Sequence, residues 1–127
     1  MSIVTCLLQK ADLYALDEPS AFLDVEDRIA VAKFIQKFTR SYGKSAMVID
    51  HDLQLLDLVS DSVVIFEGTS GISGHASSPL SKVDAMNKFL KSLDITFRRD
   101  EKSRRPRVNK EDSRLDKTQK ASSNFYY

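Results

Sequence analysis

Two short apolar runs, each ending in polar residues, constrain the fold more than any other feature of the sequence. Residues 13–16 (LYAL) precede Asp17 and Glu18, and residues 46–49 (AMVI) precede Asp50 and His51. The first run has no polar face, which is typical of a parallel strand that is central in a sheet and covered on both sides. A strand, a helix and a second parallel strand form a right-handed crossover. The sequence therefore predicts an α/β fold.

A helix over residues 25–41 is predicted between the two runs. Asp24 is in the N-cap position, acidic residues occupy the first turn, and Gly43 stands where the helix would end. The predicted apolar face contains Val25, Ile29, Val31, Ala32, Phe34, Ile35 and Phe38. Further along the chain, the pattern predicts helices over residues 53–59 and 81–93 and a strand over 62–66. Glycines at 68, 71 and 74 indicate an irregular hairpin.

The polar residues after the two runs form a candidate site, because ligands of open parallel sheets bind outside the carboxyl ends of the strands. Asp17 is suited to hold Mg²⁺ through its water shell. Glu18 could orient or polarise an attacking water, and His51 could contact a terminal phosphate. Taken alone, the two adjacent acids could equally be a solvated strand end or a helix cap. His75 lies in a Gly/Ser loop and is expected to be simply exposed.

The sequence contains only part of such a site. No G-x-x-x-x-G-K-[ST] segment occurs, and none of the four glycines lies in a phosphate-binding loop. We therefore expect these 127 residues to bind ATP weakly or not at all by themselves.

Size and composition are those of one small domain with one core. The chain has 127 residues, of which 42% are hydrophobic, and no apolar run approaches the ~18 residues of a membrane span. We expect a cytoplasmic protein with no membrane association. The single Cys6 has no disulfide partner and is expected to be a small buried apolar residue.

Charge divides the chain into two parts. Residues 1–97 carry 9 basic and 13 acidic side chains, a net charge of −4, whereas residues 98–127 carry 10 and 5, a net charge of +5. We predict a body over 1–97 and a basic, extended C-terminal tail over 98–127, too polar to build a core of its own. The tail could lie along the acidic body or bind a nucleic acid through phosphate contacts.

Several segments together resemble one family. Residues 13–19 (LYALDEP) resemble the Walker B motif of an ABC-type ATPase, residues 20–24 (SAFLD) its D-loop, and residues 49–52 (IDHD) its switch-histidine loop. The aromatic Phe22 makes the D-loop one residue longer than usual. This longer loop resembles the twin-ATPase ribosome-recycling factor also called RNase L inhibitor. Residues 85–90, 95–100 and 105–110 resemble its C-terminal hinge segment, so the likeness covers nearly the whole chain.

The resemblance implies a partial P-loop NTPase fold, a parallel sheet with flanking helices, from the last half of the second ATPase domain. It implies catalytic roles for Glu18 and His51, nucleotide contacts from Asp17, Ser20, Asp24 and His51, and Mg²⁺ at Asp17. ATP and Mg²⁺ are the implied cofactors. The family's iron–sulfur clusters belong to an N-terminal part whose cysteines are absent from this sequence, as are the Walker A and signature loops.

The implied activity is ATP hydrolysis that separates ribosomal subunits. The implied partners are the N-terminal part or a split-gene partner, the ribosomal subunits, and translation termination or initiation factors. An alternative from a different class is a non-catalytic module that binds the ribosome or its RNA through the basic tail.

Overall fold

The structure, a computed structural model, describes residues 2–102 and 105–127. They form two compact units, and the boundary between the units lies between Ser60 and Asp61. Met1, at the start of the chain, and Ser103 and Arg104, in the predicted basic tail, lie outside the described residues. The predicted α/β class is confirmed. The first unit contains α1 (Ile3–Leu7), β1 (Leu13–Asp17), α2 (Val25–Tyr42), β2 (Ser45–Ile49) and α3 (Leu53–Val59).

The long helix α2 begins where its sequence predicts and ends one residue later than predicted, at Tyr42. The Asp24 carboxylate accepts hydrogen bonds from the backbone N–H groups of Glu26 and Asp27, both at 3.0 Å. Gly43 follows the last turn in the left-handed conformation, with a φ of 59°, which glycine adopts without steric cost. Ala32 and Ile35 are buried, and the ring of Phe38 packs edge-on against Tyr14 of β1 at 5.5 Å.

The strands β1 and β2 pair in parallel, with Leu13 opposite Ser45 and Asp17 opposite Ile49. The prediction that β1 is covered on both sides is wrong for the first unit as the structure describes it. Tyr14 and Leu16 are buried, but Leu13 is 59% exposed and Met47 is 52% exposed. The alternation of buried and exposed residues along β1 means that one face of this strand is covered and the other is open.

The second unit contains the hairpin and the C-terminal segment. Its elements are β3 (Ser62–Val63), β4 (Phe66–Thr69), β5 (Ser73–Ala76), β6 (Leu80–Ser81), α4 (Lys82–Ser92), β7 (Phe97–Arg99), β8 (Pro106–Val108) and α5 (Arg114–Ala121). The predicted strand 62–66 is divided, because β3 pairs with β6 whereas β4 pairs with β5. Gly68 is required in that hairpin, since a Cβ there would lie 2.1 Å from the Ser73 carbonyl oxygen.

Residues 98–102 and 105–127 contain two paired strands and a helix rather than an extended tail, which corrects that prediction. Thr96 donates a hydrogen bond to Asp116 at 2.6 Å, and Asn109 donates to Thr96 at 2.8 Å and to Gln119. These four polar side chains are buried, and so are Phe125 and Tyr126. A network of satisfied buried polar groups and two aromatic rings supplies the core that charge composition did not indicate. The division into 1–97 and 98–127 stays a prediction about domains.

Within residues 2–102 and 105–127, every helix is too short or too polar to cross a membrane.

Candidate functional site

The ends of β1 and β2 bring the predicted acids and the histidine to one edge of the first unit. The pairing continues one residue past β1, because the Glu18 N–H donates a 2.7 Å hydrogen bond to the Ile49 carbonyl. Asp17 and Glu18 therefore lie beside Asp50 and His51, as expected for parallel strands. Asp17 is exposed.

Glu18 and His51 face each other across this edge. Glu18 Oε1 lies 3.6 Å from His51 Nδ1, and both side chains are largely exposed. The pair is ionic only when His51 is protonated. A carboxylate can accept a proton from water, and an imidazole can donate a hydrogen bond to an anion. The arrangement suits hydrolysis of a bond that lies within reach of both groups.

The backbone at Glu18 is unusual. Its φ is 46°, in the left-handed region, and the same holds for Phe22 with a φ of 63°. Phe22 is fully exposed. Non-glycine residues rarely adopt this conformation, and they do so mostly where the surrounding structure holds them.

The remaining predicted contacts, Ser20 and Asp24, have structural partners. Ser20 is only 2% exposed, and its backbone N–H donates to Asp50 Oδ2 at 3.2 Å. One carboxylate oxygen of Asp24 caps α2. Their predicted roles in nucleotide contact stay predictions.

Sequence reasoning missed three residues that tie the site together: Arg28, Asp50 and Asp52. Asp50 Oδ1 accepts a hydrogen bond from the Asp52 N–H at 2.9 Å. The Asp52 carboxylate caps α3 through the N–H groups of Gln54 and Leu55 and pairs with Arg28 Nη1 at 2.6 Å. An aspartate directly before the apolar residues of α3 is an N-cap signal that could have identified Asp52.

The Arg28–Asp52 pair provides a test of pH dependence. Partial burial alone would raise the pKa of Asp52, but the hydrogen bond from Arg28 and those from Leu55 and Gln54 outweigh it, so the pKa lies below 3.8. A lowered folded-state pKa contributes stability that is present above the unfolded-state pKa and is lost as pH falls through the folded-state pKa.

Arg28→Met is therefore expected to raise the pKa of Asp52 and to lower the free energy of unfolding at pH 7 by about 1 kcal/mol. The difference between variant and parent should shrink as the pH falls below 3.8, the ordinary value of the carboxyl. Carboxyl NMR titration and urea unfolding between pH 7 and pH 3 measure both effects. Lys44→Met, which removes the partner of the almost fully exposed Asp12, is the matched control and should change stability less. An unchanged Asp52 pKa in the Arg28 variant would contradict this account.

The fold is that of part of an ABC-type ATPase domain, and comparisons with known proteins narrow the group within that class. No family profile matches the sequence. Over all 127 residues the chain is 47% identical to an uncharacterised ABC transporter ATP-binding protein of Methanocaldococcus jannaschii and 44% identical to translation initiation factor RLI1 of Saccharomyces cerevisiae. A crystal structure of the archaeal ribosome recycling factor aABCE1, in complex with the archaeal ribosomal stalk protein aP1, matches 95% of the chain with 48% identity and a TM-score of 0.90, over 23% of its own chain.

The predicted resemblance to the ribosome-recycling factor (RNase L inhibitor) family is confirmed, because these relatives match all or nearly all of this chain. It spans about a fifth (21%) of the length of the curated relatives that it matches. What those proteins do as wholes therefore bears on this chain only as a proposal.

The residues of the edge fit one side of a magnesium–ATP site. Two carboxylates and an imidazole are exposed together, and oxygen ligands are those that Mg²⁺ prefers. The phosphate side fits less well in the described part of the chain. Two N–H groups in the first turn of each of α2 and α3 are already bonded to aspartates. In the described residues, no group of three or more His, Cys, Asp or Glu side chains could hold a metal ion by itself.

Proposed function

We propose that this chain contributes the Walker B, D-loop and switch-histidine elements to ATP hydrolysis by a ribosome-recycling ATPase. The observation that carries the proposal is the opposition of Glu18 and His51 at 3.6 Å, at the ends of two paired parallel strands. The similarity of the whole chain to a segment of these relatives supports it. The C-terminal part of the second ATPase domain is the segment that the resemblance implies.

Each residue has a role that follows from its chemistry. Bound Mg²⁺ would neutralise phosphate charge, and Asp17 would hold it through water. Glu18 would orient the attacking water and accept its proton. His51 would donate a hydrogen bond toward the terminal phosphate, where negative charge develops. Ser20 and Asp24 would contribute to the nucleotide site from the D-loop.

We further propose that the chain works with the remainder of such an ATPase and with the ribosome. The relative crystallised with a ribosomal stalk protein supports this class of partner. The activity would be separation of ribosomal subunits during translation, in the cytoplasm.

The first test is nucleotide binding by the 127 residues alone. Backbone amides and the lysine of a phosphate-binding loop provide most of the affinity for a triphosphate, and no such loop occurs in this sequence. Calorimetry with ATP and Mg²⁺ should detect no saturable micromolar binding. A chimera in which this chain replaces the matching segment of yeast RLI1 should bind and hydrolyse ATP. Micromolar affinity of the isolated chain would contradict this division of roles between the chain and the rest of the ATPase.

A second candidate function is RNA binding by the C-terminal segment. Arg98 and Arg107 lie opposite each other in the β7–β8 pair, and both are exposed, as is Arg99. Arg107 also pairs with Asp100 at 3.2 Å, and Arg98 donates to Asn109, which favours an internal role for these side chains. A steep salt dependence of binding to RNA, lost in Arg98→Gln with Arg107→Gln, would favour the RNA-binding module.

A further inference from the structure

One carboxylate links the loop that carries Glu18 to the loop that carries His51. Asp50 is half-buried directly after β2. Its Oδ2 accepts a hydrogen bond from the Ser20 N–H at 3.2 Å, and its Oδ1 accepts one from the Asp52 N–H at 2.9 Å. The two donors lie in separate loops, and Ser20 is 30 residues from Asp50 in sequence.

The donors of these two bonds lie close in sequence to the residues of the candidate site. Ser20 lies two residues after Glu18, and Asp52 lies one residue after His51. A second link holds the other end of the same loop. Arg28 Nε donates a hydrogen bond to the Leu23 carbonyl at 2.9 Å, and Arg28 Nη1 pairs with Asp52 at 2.6 Å. The loop of residues 18–24 is therefore attached to residues 50–52 near both of its ends.

The relative position of the Glu18 carboxylate and the His51 imidazole depends on such a link. Both side chains are largely exposed, so packing does little to fix the 3.6 Å distance between Glu18 Oε1 and His51 Nδ1. Bonds from N–H groups to an ionised carboxylate are stronger than those between neutral groups. A small error in the placement of reacting groups has a large effect on rate.

We infer that Asp50 is a positioning residue that holds the water-orienting Glu18 in register with His51. It acts through the backbone of the two loops, to which both of its carboxylate oxygens are bonded. The inference rests on the proposed function of Glu18 and His51, but the link itself can be measured in the absence of nucleotide.

The first experiment measures the link in the 127-residue chain. Asp50→Ala removes both acceptors, and amide hydrogen exchange should accelerate at least ~10-fold at Ser20 and Asp52. Asp50→Asn keeps one acceptor oxygen, so only one of these two amides should be released. The amide of Ile35, buried in the middle of α2, reports whether the unit remains folded. Asp27→Asn, which removes an exposed charge from the same unit, is the matched control and should leave Ser20 and Asp52 unchanged.

The second experiment measures the consequence in the RLI1 chimera. Asp50→Ala should lower kcat about 10-fold to 100-fold and leave the KM for ATP unchanged, because the geometry of reaction rather than nucleotide affinity is disturbed. Asp50→Asn should recover part of that loss. In a Glu18→Gln background, Asp50→Ala should have little further effect, since both changes act through the same side chain.

The outcomes separate this inference from the function on which it rests. Release of both amides with non-additive losses in kcat supports it. Unchanged exchange at Ser20 and Asp52 overturns the link, whatever the turnover. Released amides with fully additive losses overturn the action through Glu18. If Glu18→Gln alone leaves turnover at the parental rate, the proposed function fails, and the positioning role in hydrolysis fails with it.

Discussion

Replacing Glu18 by Gln in the RLI1 chimera is expected to lower ATP turnover by about 10²-fold or more, because general-base assistance typically contributes that much. Gln keeps the size and hydrogen-bonding capacity of the side chain but removes its charge and basicity. The variant should still bind ATP, since Asp17 remains able to hold Mg²⁺, and it should accumulate with ATP retained. Turnover and nucleotide retention measured together test both parts.

Neighbouring substitutions should give different patterns. Asp17→Asn weakens the metal site and should lose ATP retention as well as turnover. His51→Ala should resemble Glu18→Gln in rate but retain ATP less firmly, because a phosphate contact is lost. Glu26→Gln removes an equivalent charge from an exposed helix position and is the matched control, with turnover near the parental rate. Parental turnover in Glu18→Gln would show that Glu18 is not the catalytic carboxylate.

Replacing Phe125 by Ala is expected to destabilise the chain by about 3–5 kcal/mol, the usual cost of deleting a buried aromatic side chain. Phe125 is only 5% exposed, and its carbonyl accepts a 2.8 Å hydrogen bond from the Phe97 N–H. The neighbouring Tyr126 N–H donates to Asn87 Oδ1 at 3.0 Å, which ties this end of the chain to α4. Urea unfolding followed by circular dichroism measures the loss.

The matched control is the same substitution at Phe66 in the same unit. Phe66 is 80% exposed, so its truncation should change the free energy of unfolding by less than about 0.5 kcal/mol. A loss at Phe125 as small as the one at Phe66 would mean that residues 105–127 add little to the packed core of this unit. That result would restore the extended tail that charge composition predicted.

Short-range signals predicted the β1–α2–β2 crossover and the location of the candidate site. Asp24 starts α2 through hydrogen bonds to nearby backbone N–H groups, and Gly43 ends it in the left-handed conformation that glycine prefers. Each signal acts only on residues close to it in sequence. Glu18 and His51 face each other, with Asp17 directly before Glu18, because paired parallel strands end at the same edge. The ends of the helix and the ends of the strands can both be predicted from the spacing of residues along the chain.

Long-range pairing could not be predicted in the same way. The run 62–66 is divided because its two halves pair with different strands, and neither partner is indicated by the run itself. Thr96, Asn109 and Gln119 are polar and would be assigned to the surface, yet they satisfy one another in a buried network. The Asp50 bridge likewise depends on backbone N–H groups, which leave no signature in the order of side chains.

The left-handed backbone at Glu18 lowers stability at the same position that carries the proposed water-orienting carboxylate. Glycine adopts a φ of 46° freely, whereas any residue with a Cβ is strained there by about 1–2 kcal/mol. A glycine at this position would relax the backbone and delete the carboxylate in one step. Screening variants of this chain for thermal stability alone would therefore favour loss of the acid, so any stabilised version must be assayed for turnover before position 18 is accepted.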